Sequence, residues 1–388
     1  MAGAYKEIVS TLHRIHDNLT MSALPESIKA LQVLPDRKGV QVVTIPFASQ
    51  EKVQNLADNE IIIRVRAVGL NPTDWKHALR EWGTPGTISG CDAAGDVVKV
   101  GAAVKHLKVG DRAAGFNFGG SWQKDNGAYA EYVRFIGSVC FKLPDEMTYE
   151  EASSFPIPHL TAVQALYMRL GLPKPDIKPA NEKILIWGGS TAVGHHTIQL
   201  AKLSGLTVFV TASPSAHEEL KALGADHCFD YKDADVVSKI TSAEGGADII
   251  YGVDTVVEKG STDLMVDAMS KTRGGTIITT LPIPDETKNR RADVSVDFTL
   301  VYTELGYELT FAHAASFPAM KEDEARALEY VSQDMPKILA GWKAGQGAPK
   351  FKTQRLRKMQ GGLENIVEGL MVMAEGSYGR EKLVYTVA

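Results

Sequence analysis

A glycine-rich turn between a short apolar strand and a helix constrains the fold more than any other feature of this chain. Residues 184–187 are apolar, the turn follows as WGGSTAVG over 187–194, and helical periodicity continues over 195–203. Beyond it, β-branched runs alternate with amphipathic runs as far as the strand-like GGTIITTLP. Such alternation is typical of βαβ units. The sequence therefore predicts the α/β class, with a doubly wound parallel sheet.

The turn itself predicts a dinucleotide site. The first N–H groups of a helix are unpaired and lie at its positive end, so they favour a pyrophosphate. Against the pattern G-x-G-x-x-G, Thr191 holds the middle position, where its Cβ crowds the phosphates although its hydroxyl could donate to them. The predicted contacts are Gly189, Ser190, Thr191, Ala192, Val193 and Gly194. A tight strand-to-helix corner without a ligand is the alternative interpretation.

The end of the second strand indicates which dinucleotide binds. NAD enzymes place an Asp or Glu there to bind the ribose hydroxyls. Here residues 207–211 run into ASPSAHEELK, which offers Ser213 and Ser215, with Lys221 about two helical turns further on. A carboxylate would repel a 2′-phosphate, whereas hydroxyls and a lysine would accept it, so the sequence predicts NADPH. A helix N-cap for Ser213 and a solvated surface position for Lys221 are the competing interpretations.

The two ends of the chain are predicted to form one domain. The first third is rich in short strands bounded by glycine, and the strand-like EKLVYTV closes the chain after a helical stretch. A final strand after such an excursion suggests a return to the first domain. The predicted parts are a helical extension at 1–24, a discontinuous β-rich domain at 25–160 and 313–388, and a cofactor domain at 161–312. Within them, we expect a strand over 127–133 and one long helix over 322–345.

Composition excludes several classes of partner. A net charge of −5 over 388 residues is too mild to indicate nucleic acid, and no Lys/Arg run forms a phosphate-binding footprint. No apolar stretch approaches the roughly 18 residues of a membrane span. The three cysteines fit a reducing compartment and are too few for a four-cysteine zinc lobe. We therefore expect a cytoplasmic protein with neither a nucleic-acid nor a membrane partner.

Eight motifs occur in the order found in the medium-chain dehydrogenase/reductase superfamily. They are GLNPTDW (69–75), GCDAAGDVVKVG (90–101), VGDRAAGF (109–116), GAYAEYV (127–133), LTAVQAL (160–166), GGSTAVG (188–194), LGAD (223–226) and EKLVY (381–385). The chain resembles that superfamily over about residues 28–388, within its quinone-reductase and enoyl-reductase branch. The GGSTA form of the turn and DFTLVYTELGYE (297–308) are similar to fungal trans-acting enoyl reductases that serve iterative polyketide synthases.

The resemblance implies a GroES-like β-rich domain and a Rossmann cofactor domain, with Tyr231 and Leu281 beside the cofactor. It also implies no metal. Zinc-dependent members have Gly-His-Glu where this chain has Gly90, Cys91 and Asp92, and their early cysteine falls within residues 71–74, which contain no sulfur. Without a Lewis acid to lower the pKa of an alcohol, alcohol oxidation is disfavoured.

The implied reaction is hydride transfer from NADPH to the β-carbon of an enoyl thioester or enone. The partner would be a small or carrier-bound enoyl substrate, with a polyketide synthase carrier protein as a candidate. A quinone or small-enone oxidoreductase is the first alternative, and a non-catalytic NADPH-binding protein is the second. The basic run KTQRLRK (352–358) would suit carrier docking, but a solvated face explains it equally.

Candidate catalytic residues follow from where the superfamily lines its cleft. Lys76 and Thr161 match cleft positions of the fungal reductases, and Asn71 follows a strand of the first domain. The competing interpretations are a turn before Pro72 for Asn71 and a surface position for Lys76. Some enoyl reductases have a tyrosine proton donor after the Asn-Pro motif, whereas this chain reads REWGTPG there, with Trp82. The proton donor therefore stays open, with water as one candidate.

Overall fold

The computed structural model describes residues 24–175, 181–311, 313 and 315–387. The helical extension predicted over residues 1–24 lies outside the described residues, except for Leu24. The strands are β1 Ser27–Val33, β2 Val40–Pro46, β3 Glu60–Gly69, β4 Asp92–Val100, β5 Arg112–Phe116, β6 Tyr132–Ile136, β7 Phe141–Lys142, β8 Lys183–Trp187, β9 Thr207–Thr211, β10 His227–Phe229, β11 Tyr251–Asp254, β12 Gly275–Thr279, β13 Val294–Phe298, β14 Leu309–Phe311, β15 Ala315–Phe317, β16 Leu356–Met359 and β17 Lys382–Thr386.

The α-helices fall mainly between the later strands. They are α1 Glu51–Gln54, α2 Pro72–Leu79, α3 Tyr149–Ser153, α4 Pro156–Val163, α5 Ala192–Leu203, α6 His217–Leu223, α7 Val236–Ser242, α8 Ser261–Ala268, α9 Asp285–Lys288, α10 Lys321–Glu329, α11 Met335–Ile338 and α12 Ile366–Ala374. Two π-helical turns continue α4 and α10, over Gln164–Arg169 and Tyr330–Asp334.

The first sheet joins strands from both ends of the chain. Its order is β16-β17-β3-β4-β5-β7, with β6 also paired to β3. Alternate residues of β3 enter two different cores, since Ile61 and Ile63 pack in one cluster and Ile62 in another. The final strand β17 pairs antiparallel with β3, so the end of the chain lies in this sheet. The domain boundaries near residues 160 and 312 stay a prediction.

The second sheet is fully parallel and confirms the predicted fold class. Its order is β10-β9-β8-β11-β12-β13, and each neighbouring pair is parallel. This is the strand order 3-2-1-4-5-6 of a dinucleotide-binding sheet, with the crevice outside the carboxyl ends at the point where the order reverses. That point lies between β8 and β11, at the glycine-rich turn.

Two local predictions are wrong. The helix expected over 322–345 ends at Ile338, because Gly341 and Gly345 then take φ values of +73° and +74° that turn the chain away. The strand expected over 127–133 begins only at Tyr132. Of the residues before it, Ala130 forms a single β-bridge to Ala30 in β1.

None of the described helices is long and apolar enough to cross a membrane.

Candidate functional site

The glycine-rich turn links the carboxyl end of β8 to the start of α5. Gly188 has a φ of +85°, a conformation that residues with a side chain rarely adopt. A Cβ added at Gly194 would lie 2.3 Å from the Gly188 carbonyl oxygen, so α5 starts in backbone contact with the turn. Gly189 is equally constrained, since its added Cβ would lie 2.1 Å from Val210 Cγ1. Close packing therefore requires all three glycines.

Thr191 is the N-cap of α5. Its hydroxyl oxygen accepts from the Gly194 N–H at 2.9 Å, and its proton goes to Thr255 Oγ1 at 2.9 Å. In this arrangement the one hydroxyl proton is used within the turn, and the contact of Thr191 with a phosphate stays a prediction. Among the described residues, no partner takes the N–H groups of Ser190, Ala192 and Val193. These amides fit a pyrophosphate.

A small crevice opens beside Ser190 and is lined by two cations from the C-terminal part of the chain. Arg355 and Arg380 both line it, and each lies near Glu219, at 3.5 Å and 3.7 Å. Gln354 is 5% exposed, and neither its Oε1 nor the buried Nη1 of Arg380 has a partner among the described residues. Because an unpaired buried guanidinium N–H is costly, the crevice is suited to an anion.

The residues after β9 are only partly available to a ligand. Ser213 occupies the N-cap position of a short helical turn, as the competing interpretation expected, but its side chain makes no capping hydrogen bond. The hydroxyls of Ser213 and Ser215 make no hydrogen bond among the described residues. Lys221 instead pairs with Glu218 at 3.0 Å on the exposed face of α6. Tyr231 is 42% exposed beyond β10. The two hydroxyls and the phenol are free to face a nucleotide, while Lys221 already has a partner.

Thr161 and Leu281 lie where the two sheets meet. Helix α4 carries Thr161 and contacts β4 and β5 of the first sheet as well as α5 of the second. Thr161 is 7% exposed, and its hydroxyl has no partner among the described residues. Leu281 follows the carboxyl end of β12, where its carbonyl accepts from the Thr279 hydroxyl at 2.6 Å. Thr161 therefore lies between the two sheets, and Leu281 lies at the carboxyl edge of the parallel sheet.

Asn71 belongs to a buried network in the first sheet. Its amide donates to Asp92 Oδ2 at 2.8 Å, and its Oδ1 accepts from Lys382 Nζ at 2.5 Å. Lys382 also lies 3.5 Å from Asp92 Oδ2, with the two side chains 4% and 0% exposed. Burial raises the pKa of Asp92 to about 7 and lowers that of Lys382. With both ends of its amide engaged, Asn71 holds this pair in place.

The neighbouring acid, Asp74, caps the start of α2. Its Oδ2 accepts from the Asn71 N–H at 2.7 Å and from the Tyr129 hydroxyl at 2.8 Å. Burial raises the pKa of Asp74 and, still more, that of Cys91 beside it. The Cys91 thiol lies 3.6 Å from the Tyr302 hydroxyl. Residues at the zinc-ligand positions of zinc-dependent relatives thus bond to one another and to Tyr302.

Lys76 lies half-buried between two indole rings. Its ammonium is 5.9 Å from the Trp75 ring and 5.6 Å from the Trp82 ring, within the range of cation–π attraction. It contacts no carboxylate among the described residues. The structure therefore does not place Lys76 in a surface ion pair, and its charge stays available in the last turn of α2.

The basic run over residues 352–358 is largely neutralised. Arg355 lies near Glu219, Arg357 pairs with Glu381 at 2.7 Å, and Lys358 pairs with Glu150 at 3.3 Å. Arg357 and Lys358 therefore belong to a solvated, ion-paired face, whereas Arg355 lines the crevice.

Comparison with known proteins assigns the family. Residues 57–145 match the alcohol dehydrogenase GroES-like domain, and residues 192–300 match the family described as zinc-binding dehydrogenase. The chain belongs to the medium-chain dehydrogenase/reductase superfamily, and it is an oxidoreductase. Its relatives include the trans-enoyl reductase ACTTS2 of Alternaria alternata, 38% identical over 362 residues that cover 92% of this chain and 98% of the relative.

Other relatives extend the same picture. The trans-enoyl reductase TwmE of Talaromyces wortmannii is 31% identical over 386 residues, covering 95% of this chain and 100% of the relative. Among solved structures, the CurK enoyl reductase aligns with a TM-score of 0.70 at 20% identity, covering 94% of this chain and 100% of that one. The quinone oxidoreductase from Coxiella burnetii aligns with a TM-score of 0.65 at 23% identity, covering 93% and 100%. These structural likenesses concern the fold.

Sequence reasoning missed four residues that the fold brings to the site. Arg355 and Arg380 reach the turn from more than 150 residues away. Arg355 belongs to the basic run over 352–358, which suggested carrier docking only, and no local pattern marks Arg380. Lys382 lies within EKLVY, which resembles a strand, so its burial beside Asp92 was not foreseen. Tyr302 lies within the DFTLVYTELGYE motif, and an aromatic residue after the last parallel strand is the signal that could have found it.

Proposed function

We propose that this protein is an NADPH-dependent reductase that transfers hydride to the β-carbon of an enoyl thioester. The observation that supports it best is the unpaired amide cluster of Ser190, Ala192 and Val193, placed where the strand order of the parallel sheet reverses. A pyrophosphate would bind these amides, with Thr161 and Leu281 beside the nicotinamide. When bound, NADPH supplies the hydride from its C4 atom.

The choice of NADPH over NADH rests on charge. No carboxylate follows β9 directly, and the free hydroxyls of Ser213 and Ser215 stand in its place. Arg355 and Arg380 line the crevice against one carboxylate, Glu219, which leaves an excess of positive charge for a 2′-phosphate. Tyr231 has an exposed ring that is suited to stack on the adenine.

The choice of an enoyl thioester rests on the relatives and on the unpaired groups of the cleft. Proteins 38% and 31% identical along almost the whole chain are named trans-enoyl reductases. Negative charge develops on the substrate carbonyl oxygen as hydride arrives, and preorganised donors lower that barrier. The Thr161 hydroxyl and the Lys76 ammonium are the free donors for that oxygen. Asn71 has a positioning role, because it holds Asp92 and Lys382 at the starts of β4 and β17.

A carrier-bound substrate fits a trans-acting role beside a polyketide synthase in the cytoplasm. The basic run over residues 352–358 is not suited to docking an acidic carrier protein, because its cations are already paired with carboxylates. We therefore expect recognition to begin with the pantetheine arm.

The cofactor test is a fluorescence titration with NADPH and NADH. Wild-type protein should bind NADPH at least about 10-fold more tightly, which corresponds to 1.4 kcal/mol. The variant Arg380→Ala should weaken NADPH binding and leave NADH binding unchanged, with Lys221→Ala as the matched control of a cation that already has a partner. Equal affinity for the two dinucleotides would refute the choice of cofactor.

The substrate test measures NADPH oxidation with crotonyl-pantetheine, a crotonyl carrier protein and simple quinones. Turnover of the thioesters supports the proposal. Turnover of quinones alone would favour the quinone reductase, and NADPH binding without turnover of any of them would favour a non-catalytic protein.

A further inference from the structure

The Tyr302 side chain crosses from the parallel sheet to the first sheet. It lies on the Val301–Leu305 turn that follows β13, and its hydroxyl is 3.6 Å from Cys91 Sγ, just before β4. Its ring stacks on Phe118 with the centroids 4.1 Å apart, and it is tilted against Phe311 at 6.4 Å. The phenol is 4% exposed, so the packing holds its hydroxyl in one place.

This hydroxyl lies at the junction where the cofactor and the substrate would meet. The Val301–Leu305 turn contacts α4, which carries Thr161. The start of α4 is tied to the same strand end, because the Ile157 N–H donates to Asp92 Oδ1 at 3.0 Å. Tyr302, Cys91 and the helix that carries Thr161 therefore lie together at the junction of the two sheets.

Several acidic protons lie in this region, and most of them are held by a strong hydrogen-bond acceptor. The proton of Tyr302 faces a weaker one. The Tyr129 hydroxyl donates to Asp74 Oδ2 at 2.8 Å, and Lys382 donates to Asn71 Oδ1 at 2.5 Å. The Tyr302 hydroxyl lies 3.6 Å from the Cys91 thiol, which is a weak acceptor. Its proton can therefore go to a substrate with little loss of hydrogen bonding.

We propose that Tyr302 is the catalytic acid that protonates the α-carbon of the substrate, an inference that rests on the proposed function. After hydride reaches the β-carbon, the electron pair of the double bond resides on an enolate. The enolate collapses to the carbonyl as a new C–H bond forms at the α-carbon and the Tyr302 O–H bond breaks. The resulting phenolate regains its proton from water once the product leaves.

The surroundings of the phenol suit this cycle. Burial raises the pKa of Tyr302 well above its usual value, so the group is protonated at the start of each turnover. The Thr73 hydroxyl favours the phenolate and so opposes the effect of burial on the pKa of Tyr302. Thr73 Oγ1 is in turn 3.2 Å from His77 Nδ1, which holds that hydroxyl in position.

The test compares Tyr302→Phe with Tyr330→Phe, a matched loss of a buried phenol that bonds to His159 at 2.8 Å. Crotonyl-pantetheine is reduced with NADPH in D₂O, and kcat and the configuration at the deuterated α-carbon are measured. Wild type and Tyr330→Phe should give a single configuration. Tyr302→Phe should lose about 100-fold in kcat, as expected for a lost general acid, and should give a mixture at the α-carbon.

Two further measurements separate the possible failures. NADPH titration should be unchanged in Tyr302→Phe, which shows that the variant is folded and binds the cofactor. Thr73→Val keeps the phenol, so it should lower kcat less and retain the single configuration. Wild-type kcat and a single configuration in Tyr302→Phe would overturn the role of Tyr302. A wild-type protein that binds NADPH but reduces no thioester would instead overturn the proposed function.

Discussion

Acid should destabilise this protein through a buried histidine cluster beneath the cofactor turn. His159 Nδ1 lies 3.1 Å from His196 Nδ1, and His159 Nε2 lies 2.8 Å from the Tyr330 hydroxyl. Nε2 of His196 is buried and has no partner in the described part of the chain, and His195 is hydrogen-bonded to Gln199 at 3.2 Å. Only one proton fits between the two facing Nδ1 atoms, so the pair is neutral when folded.

The magnitude follows from the pKa values. Burial lowers the pKa of His159 to about 3 and that of His195 to about 4, from 6.5. The unfolded chain therefore binds more protons as the pH falls below 6.5, and stability that is fully present above this pH is lost on acidification. Between pH 8 and pH 5, each of these histidines lowers the free energy of unfolding by about 2 kcal/mol.

The assay is chemical denaturation at pH 8 and pH 5, comparing wild type with the double variant His159→Phe/Tyr330→Phe. Carboxyls such as Asp92, whose pKa is raised to about 7, work in the opposite direction, so the difference between proteins is the informative quantity. The double variant should lose about 2 kcal/mol less than wild type between the two pH values. His227→Gln, on the edge strand β10, is the control and should behave as wild type. An identical pH dependence in the double variant would refute the reasoning.

Three further predictions concern the site. Lys382→Met should destabilise the protein by about 3–5 kcal/mol at pH 8, because the buried Asp92 loses its cation and must either stay charged or take up a proton at a pH where the unfolded chain does not. The loss should be smaller at pH 5. Denaturation of the variant with and without Asp92→Asn measures this, and an equal loss at both pH values would contradict it. Gly194→Ala should abolish NADPH binding in a fluorescence titration, since its Cβ would lie 2.3 Å from the Gly188 carbonyl oxygen; wild-type affinity would show that the turn can relax. Thr161→Val should lower kcat about 10²-fold with little change in NADPH affinity, whereas an unchanged kcat would remove Thr161 from the mechanism.

The parallel sheet and its turn could be predicted because they depend on local patterns. Apolar strands, amphipathic helices and the spacing of Gly189 and Gly194 are all visible in one stretch of chain. The left-handed φ of Gly188 is a finer feature of the same turn. The part played by Thr191 was not predictable, because its acceptor, Thr255, comes from a strand more than 60 residues away.

The rest of the site depends on contacts between distant segments. Arg380 and Ser190 line one crevice although they are 190 residues apart, and Tyr302 reaches Cys91 across the junction of the two sheets. Periodicity also overestimated the helix over 322–345, because apolar spacing continues past Gly341 although the backbone turns there. Local signals define the elements, whereas their packing decides which side chains meet.

Deuterium transfer tests the central claim most directly. The protein is incubated with crotonyl-pantetheine and NADPH deuterated at C4, and the product is analysed by mass spectrometry and NMR. We expect one deuterium at the β-carbon, transferred from one face of the nicotinamide, while the new hydrogen at the α-carbon comes from solvent. Label that stays on the cofactor, or a thioester that returns unreduced, would contradict it.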